Sequence, residues 1–284
     1  MRKQLLFSVI VLLLVSKISY GQLLNTTIDS TDNETIWQLA KYDTKQTLKS
    51  VGHAFTQPLR WNGKDFTKLG ILIGGTAAMT FADEPLQEFI QRQAGDFPRV
   101  VRDFGWYFGS PQNYFMANAG LYGFGLFTKN EKIRKTSVLI ISSSITSGLI
   151  QTFTKNAIGR ARPSREAGHL EFSSFANESS FRSFPSGHTV LSVTMAHAIA
   201  KQFENTWVKA GIYTIGAIPP ISRLIDDAHW FTDIAFSTVL SIIVVDGIDK
   251  FLFEEKAYDY PQKQKTISWN LKFAPNQVGI VGTF

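Results

Sequence analysis

The sequence predicts an all-α protein, a bundle of apolar helices, and three observations carry that prediction. Uncharged windows at 69–82, 104–128, 136–154, 184–200, 210–222 and 234–245 are separated by short polar turns. These windows are long, rich in Ala, Leu and Gly, and do not alternate, which favours helix over strand. Finally, hydrophobic residues make up 44% and charged residues 18% of the 284-residue chain. That is the apolar side of globular, with length enough to bury a sizeable core.

Taken in order, residues 1–21 read as a secretory signal. Arg2 and Lys3 form a charged end, Leu5 to Val15 an apolar run interrupted only by Ser8, and Ser19 and Gly21 a small-residue cleavage site, so that a mature chain begins at Gln22. The run is short of the roughly 20 apolar residues that a membrane span needs. An uncleaved anchor is the alternative, and either way the chain leaves the cytoplasm. Residues 23–45 are polar and read as a loose leader, and 47–69 as an amphipathic, partly helical lead-in. The windows follow, the last of them running into Asp246, Asp249 and Lys250. After Tyr260-Pro261 the composition alternates in stretches around Ala-Pro-Asn-Gln, which suits a small hairpin or an edge that meets a partner.

Composition excludes several chemistries. There is no cysteine, so neither disulfides nor a thiolate nucleophile enter. The formal charge of +6 falls to +3 without the signal, too little to argue for nucleic acid.

The functional reading starts at Ser183-Phe-Pro-Ser-Gly-His188. Pro185 fixes φ where a helix can begin, Ser186 can cap it, and Gly187 lets an anion approach the backbone. His188 then sits in the first turn, where free N–H groups and the helix dipole favour a phosphate-like anion. Alone this is an ordinary capped helix start. Upstream, however, lie Lys155, Arg162 and Pro163, and downstream Ser222, Arg223, His229 and Asp233. His229 and Asp233 share a helical face at a spacing of four, so the carboxylate can accept from one ring nitrogen and leave the other free to attack phosphorus. His188 suits the proton donor to the leaving alkoxide. Lys155, Arg162 and Arg223 would neutralise the non-bridging oxygens, completed by the Ser186 hydroxyl and the Gly187 N–H. Each piece has a bland alternative in a core histidine, a solvated turn or a surface hydrogen bond. The ordered set argues against all of them together. Asp226 and Asp227 read as a polar loop. Residues 164–184, with Phe172, Phe175, Phe181 and Phe184, form the longest insertion between site elements, and His53, His169 and His197 read as structural.

These residues resemble the three-part signature of the type 2 phosphatidic acid phosphatase family, shared with bacterial non-specific acid phosphatases and vanadium haloperoxidases. Lys155, Arg162 and Pro163 meet K-x6-R-P; Pro185 to His188 meet P-S-G-H; Ser222, Arg223, His229 and Asp233 meet S-R-x5-H-x3-D. The resemblance implies a six-helix core, His229 as nucleophile, His188 as acid and base, and no metal. It extends to about residues 67–252, a phosphatase helical domain, and composition adds a signal peptide at 1–21, a leader and lead-in at 22–66 and a C-terminal tail at 253–284.

The expected activity is metal-independent hydrolysis of a phosphomonoester or pyrophosphate through a phosphohistidine, the substrate an envelope lipid phosphate or a small phosphoester. The alternative is a haloperoxidase in which the same cradle holds vanadate as cofactor; a third option is a binding protein with a dead site. Location is in tension. A secreted N-terminus followed by three spans puts the site in the cytoplasm, whereas the basic turn of Lys129, Lys132, Arg134 and Lys135 prefers that side for the opposite end. A periplasmic bundle, soluble or resting on a membrane, and an integral protein both remain open.

Overall fold

The computed structural model describes residues 34–260, together with the backbone of 268–274 and 277–283. Residues 1–21, read as a signal, lie outside the described residues. A compact helical unit runs from Thr35 to Tyr260. Its helices are α1 (Ile36–Thr56), α2 (Gly63–Met79), α3 (Asp83–Gln93), α4 (Arg99–Gly109), α5 (Pro111–Phe127), α6 (Glu131–Ile158), α7 (Gly187–Ala200), α8 (Thr206–Ile225) and α9 (Phe231–Asp249). The chain is all-α in this unit, as predicted.

Three boundaries differ from the sequence reading, each for a local reason. Helix α1 starts inside the segment read as a leader. Thr35 caps it, its side chain accepting from the Gln38 N–H at 3.2 Å while Gln38 accepts from the Thr35 N–H at 2.8 Å. That reciprocal capping box offsets the polar composition. The window at 104–128 is two helices, because Pro111 disfavours helical geometry at Ser110 and itself suits the first position of α5. The tail begins later than residue 253: Leu252 is fully buried and Tyr258 is 3% exposed, so both belong to the helical unit.

Helices α6, α7 and α9 pack on one another at the centre. Leu139, Ile140, Leu191, Met195, Leu240, Val244, Val245 and Ile248 fill the space between them. Helix α8 lies on α7 at close range, since a Cβ on Gly216 would stand 2.4 Å from the Ala196 Cβ. Helix α4 packs on α7 and α8, while α1 and α5 pack on α6.

One polar cluster is buried far along α6 from its C-terminal end. Arg134 is fully buried and donates to Asp43 Oδ2 at 2.9 Å and Oδ1 at 3.0 Å. The hydroxyls of Tyr122 and Tyr258 also donate to Asp43. Arg134 is therefore spent on an internal ion pair and is not part of a basic surface turn, contrary to the sequence reading.

The second unit is a hairpin, as the tail composition suggested. Strands β1 (Ser268–Ala274) and β2 (Gln277–Thr283) pair antiparallel, with Ala274 opposite Gln277 and Ser268 opposite Thr283.

Candidate active site

Four helix ends meet at one end of the central bundle. Lys155 lies in the last turn of α6, His188 in the first turn of α7, Arg223 in the last turn of α8, and His229 just before α9 with Asp233 in its first turn. The up-and-down course of these helices thus gathers three separate stretches of sequence.

Between α6 and α7 the chain is folded by its own backbone. Gly159 ends α6 with φ of 60°, and a Cβ there would fall 1.8 Å from the Ser173 carbonyl, so only glycine fits. The Ala161 N–H donates to the Glu171 carbonyl at 2.9 Å, that of Arg162 to Ser180 at 2.8 Å, and that of Ser183 to Arg160 at 3.0 Å. These bonds hold Arg162 and Ser183 in place. Arg162 Nε donates to the Ser179 carbonyl at 3.1 Å, and Lys155 Nζ to the Arg182 carbonyl at 2.7 Å. Of the insertion's aromatics, Phe181 and Phe184 are buried, whereas Phe172 and Phe175 are exposed.

Ser186 occupies the N-cap of α7, but its side chain makes no capping bond. Its hydroxyl accepts from Thr189 Oγ1 at 3.0 Å, and its N–H donates to Ser237 Oγ at 2.8 Å. At Gly187 a Cβ would meet only Gln151 Nε2 at 3.5 Å, an ordinary contact.

His229 Nδ1 lies 3.5 Å from Asp233 Oδ2, long for a hydrogen bond, and has no hydrogen-bond partner. The carboxylate is instead saturated by other donors. Its Oδ2 accepts from the Trp230 N–H at 2.9 Å and from the Ser183 hydroxyl, and its Oδ1 from Arg160 Nη1 at 2.8 Å. Sequence reasoning missed this support. Arg160 sits inside the K-x6-R-P stretch, is 3% exposed, and also donates to Thr232 Oγ1 at 2.7 Å and to Asp83 Oδ2 at 2.7 Å. Asp83, from α3, in turn accepts from the Thr232 N–H at 2.9 Å and hydroxyl at 2.6 Å. An additional Arg between signature residues was a usable signal. Nothing in the sequence links Asp83 to a residue 149 positions later.

Asp226, read as a polar loop residue, bridges two arginines: Arg223 Nη2 donates to it at 2.5 Å, and Arg102 donates at 3.0 and 2.7 Å. Trp106 from α4 covers both halves of the site, with the Arg223 guanidinium 4.7 Å from its ring centre and the His188 ring 5.5 Å away. Helix α4 reaches this position through small residues. A Cβ on Gly109 would stand 2.7 Å from His188 Cδ2, and one on Gly105 would stand 2.3 Å from Ser222 Oγ.

Burial dominates the electrostatics. It pushes His229 down to about 4, assisted by the charges of Lys155 and Arg162 and opposed by Asp233. His188 is likewise pushed down to about 4, by burial first and then by Arg223, His229 and Arg162. Both imidazoles are therefore neutral at neutral pH, beside Arg162, Arg223 and Lys155, the last lowered to about 7 by burial and then by Arg162.

The family description matching residues 136–253 is that of the PAP2 superfamily, and its span takes in every position from Lys155 to Asp233. Residues 136–253 are thus similar to that superfamily. Within the PAP2 region lie both histidines, Arg160 and the cradle cations; Asp83 and α4 lie outside it. Over 157 residues the chain is 24% identical to a lipid A 1-phosphatase of Porphyromonas gingivalis, covering 53% of this chain and 32% of that protein. It thus spans about a third of the length of this curated relative. The transmembrane PAP2-type phosphatidylglycerolphosphate phosphatase of Bacillus subtilis has a similar fold, with a TM-score of 0.51 at 21% identity over 69% of this chain and 98% of that one. Aquifex aeolicus LpxE matches at a TM-score of 0.44 and 20% identity, over 59% of this chain and 94% of that one.

Proposed function

We propose that this chain is a phosphatase of lipid phosphates, working through a phosphohistidine at His229. The observation that carries the proposal is the meeting of a buried His229 and a half-buried His188, both neutral, with Lys155, Arg162 and Arg223 at one end of the bundle. His229 Nδ1 faces Asp233, so Nε2 is the nitrogen turned towards the cations. Its lone pair attacks phosphorus, a P–N bond forms, and the bond from phosphorus to the leaving oxygen breaks. His188 gives that oxygen its proton. It then takes a proton from water, which attacks phosphorus and breaks the P–N bond, returning phosphate and neutral His229. Lys155, Arg162 and Arg223 carry the charge that develops on the non-bridging oxygens, and the proposal assigns no metal to that task.

His188 is neutral in the free protein, so its proton arrives with the substrate. A bound phosphate offsets Arg223 and Arg162, and a monoanion brings the proton itself. The proposal therefore expects an acid phosphatase.

The substrate reading rests on the lipid A 1-phosphatase and the phosphatidylglycerolphosphate phosphatase, whose names specify phosphorylated lipids, and on the outer surface of the helices. Helix α2 has no buried residue, and Phe66, Ile71 and Ile73 stand more than half exposed on it. Phe115, Met116, Phe124, Leu149, Phe153, Ile215 and Ile243 continue this apolar surface on α5, α6, α8 and α9. The helices Glu131–Ile158 and Phe231–Glu254 are long and apolar enough to cross a membrane. We place the bundle in a bilayer with the site at one face and the substrate entering from the lipid. On this reading the site faces the cell exterior, with Lys132 and Lys135 on the cytoplasmic side.

The test is phosphate release by the detergent-solubilised chain from phosphatidic acid, an isoprenyl pyrophosphate and p-nitrophenyl phosphate. Turnover of the lipids supports the reading. Activity on the small ester alone, without detergent, points to a soluble acid phosphatase, and silence on all three defeats it.

A further inference from the structure

The cradle reads only the phosphoryl end of a substrate; the rest of the molecule must lie beside it. There the structure has a cavity of about 350 Å³, lined by Arg99, Arg102, Asp103 and Trp106 of α4 and by Asp226. Such a volume suits one small chemical group. The α4 residues recur at helical spacing and present one face, while Gly105 and Gly109 press α4 against Ser222 and His188. The cavity shares two walls with the catalytic centre. Trp106 contacts both Arg223 and His188, and Asp226 is held by Arg223.

The unspent groups in this cavity define its ligand. Arg102 is committed to Asp226. Arg99 and Asp103 make no ion pair or side-chain hydrogen bond among the described residues. Trp106 is 53% exposed. An occupant therefore meets one free donor fork, one free acceptor pair and one aromatic face. A second phosphate gains little here, since the two arginines are balanced by two aspartates and Asp103 repels it. An acyl chain leaves both free charges unpaired, which is costly. Hydroxyl groups satisfy both, donating to Asp103 and accepting from Arg99, while the C–H face of a small polyol or sugar ring covers Trp106.

Building on the phosphatase reading, we infer that this cavity holds a hydroxylated headgroup, glycerol or sugar, that carries the scissile phosphate, and that Arg99, Asp103 and Trp106 select for it. Substrate choice would then reside in α4, outside the PAP2 region. A site built to hydrogen-bond hydroxyls discriminates strongly against an analogue lacking them.

The test compares kcat/KM of the full chain in detergent on phosphatidic acid, on phosphatidylglycerol phosphate and on a glycolipid phosphorylated on its glucosamine. Phosphatidic acid lacks the headgroup, and the other two separate glycerol from sugar. The wild type should prefer at least one hydroxylated lipid. Asp103→Ala and Arg99→Gln, which spare Trp106 and Asp226, should each lower the ratio of that lipid to phosphatidic acid about tenfold, the loss of one or two hydrogen bonds. A ratio that neither variant moves, in an enzyme that turns over these lipids, overturns the headgroup assignment and leaves the phosphatase reading standing. Silence of the wild type on every lipid overturns both.

Discussion

At the scale of single residues, the decisive property is the neutral state of two histidines, His229 buried and His188 half-buried. His229 sits near 4 against an ordinary 6.5, and His188 is displaced similarly. On the proposed scheme, protonation of His229 below about pH 4 removes the nucleophile, while loss of the proton that a phosphomonoester brings, near pH 6, starves His188. A kcat/KM profile should therefore peak between about 4 and 6, and a plateau extending to pH 8 would contradict the scheme. The same shift carries a stability consequence with a definite sign. A histidine buried neutral contributes stability that is fully present above pH 6.5 and is lost as pH falls towards 4. Thermal midpoints in detergent should fall across that window, and less so in His229→Gln. His229→Ala and His188→Ala should each cut kcat by at least a thousandfold, and Asp233→Asn should lower kcat while substrate still binds. Arg160→Gln should also lower kcat, by roughly tenfold, because Asp233 loses the donor that fixes Oδ1. Dialysis against EDTA should leave the rate intact, which a loss restored by Mg²⁺ would refute.

At the scale of elements, the site depends on how closely α4 can approach. Gly109→Ala places a methyl 2.7 Å from His188 Cδ2, so the ring or the helix must move. We expect a fall in kcat and a destabilisation of about 1–3 kcal/mol by overpacking, read by kinetics and thermal unfolding on the same preparation. This element also marks the limit of what the sequence reveals. His188, Arg223 and His229 were legible because their signals are local: a Pro-Ser-Gly turn, a charge at a helix end, a spacing of four. The pairing of α4 with α7 and α8 has no such signal, since Gly105 and Gly109 look like ordinary glycines until the facing side chains are known. Asp83 and Arg160 escaped for the same reason, their bond joining residues 77 apart. Capping explains the overlooked start of α1: two hydrogen bonds around Thr35 decided what composition alone misread.

At the scale of the whole molecule, the exposed apolar surface on α2, α5, α6, α8 and α9 predicts that the chain stays with the membrane fraction through a carbonate wash and needs detergent for extraction; release by the wash would argue for a soluble bundle. The opposite end from the site is held by Asp43, Arg134 and Tyr258. Arg134→Ala should cost about 3–5 kcal/mol, because it strands a buried carboxylate. Replacing Asp43 and Arg134 together by apolar residues should cost much less, as unfolding of the single and double variants would reveal. That cluster also sets an order in time. Asp43 and Tyr258 are separated by 215 positions, so at the pace of synthesis the hydroxyl emerges about 10–40 s after the carboxylate it closes upon. Every residue of the proposed phosphate cradle is already made by then. The nascent chain thus holds the whole proposed catalytic set before the clasp that joins α1 to the segment beyond α9 can shut.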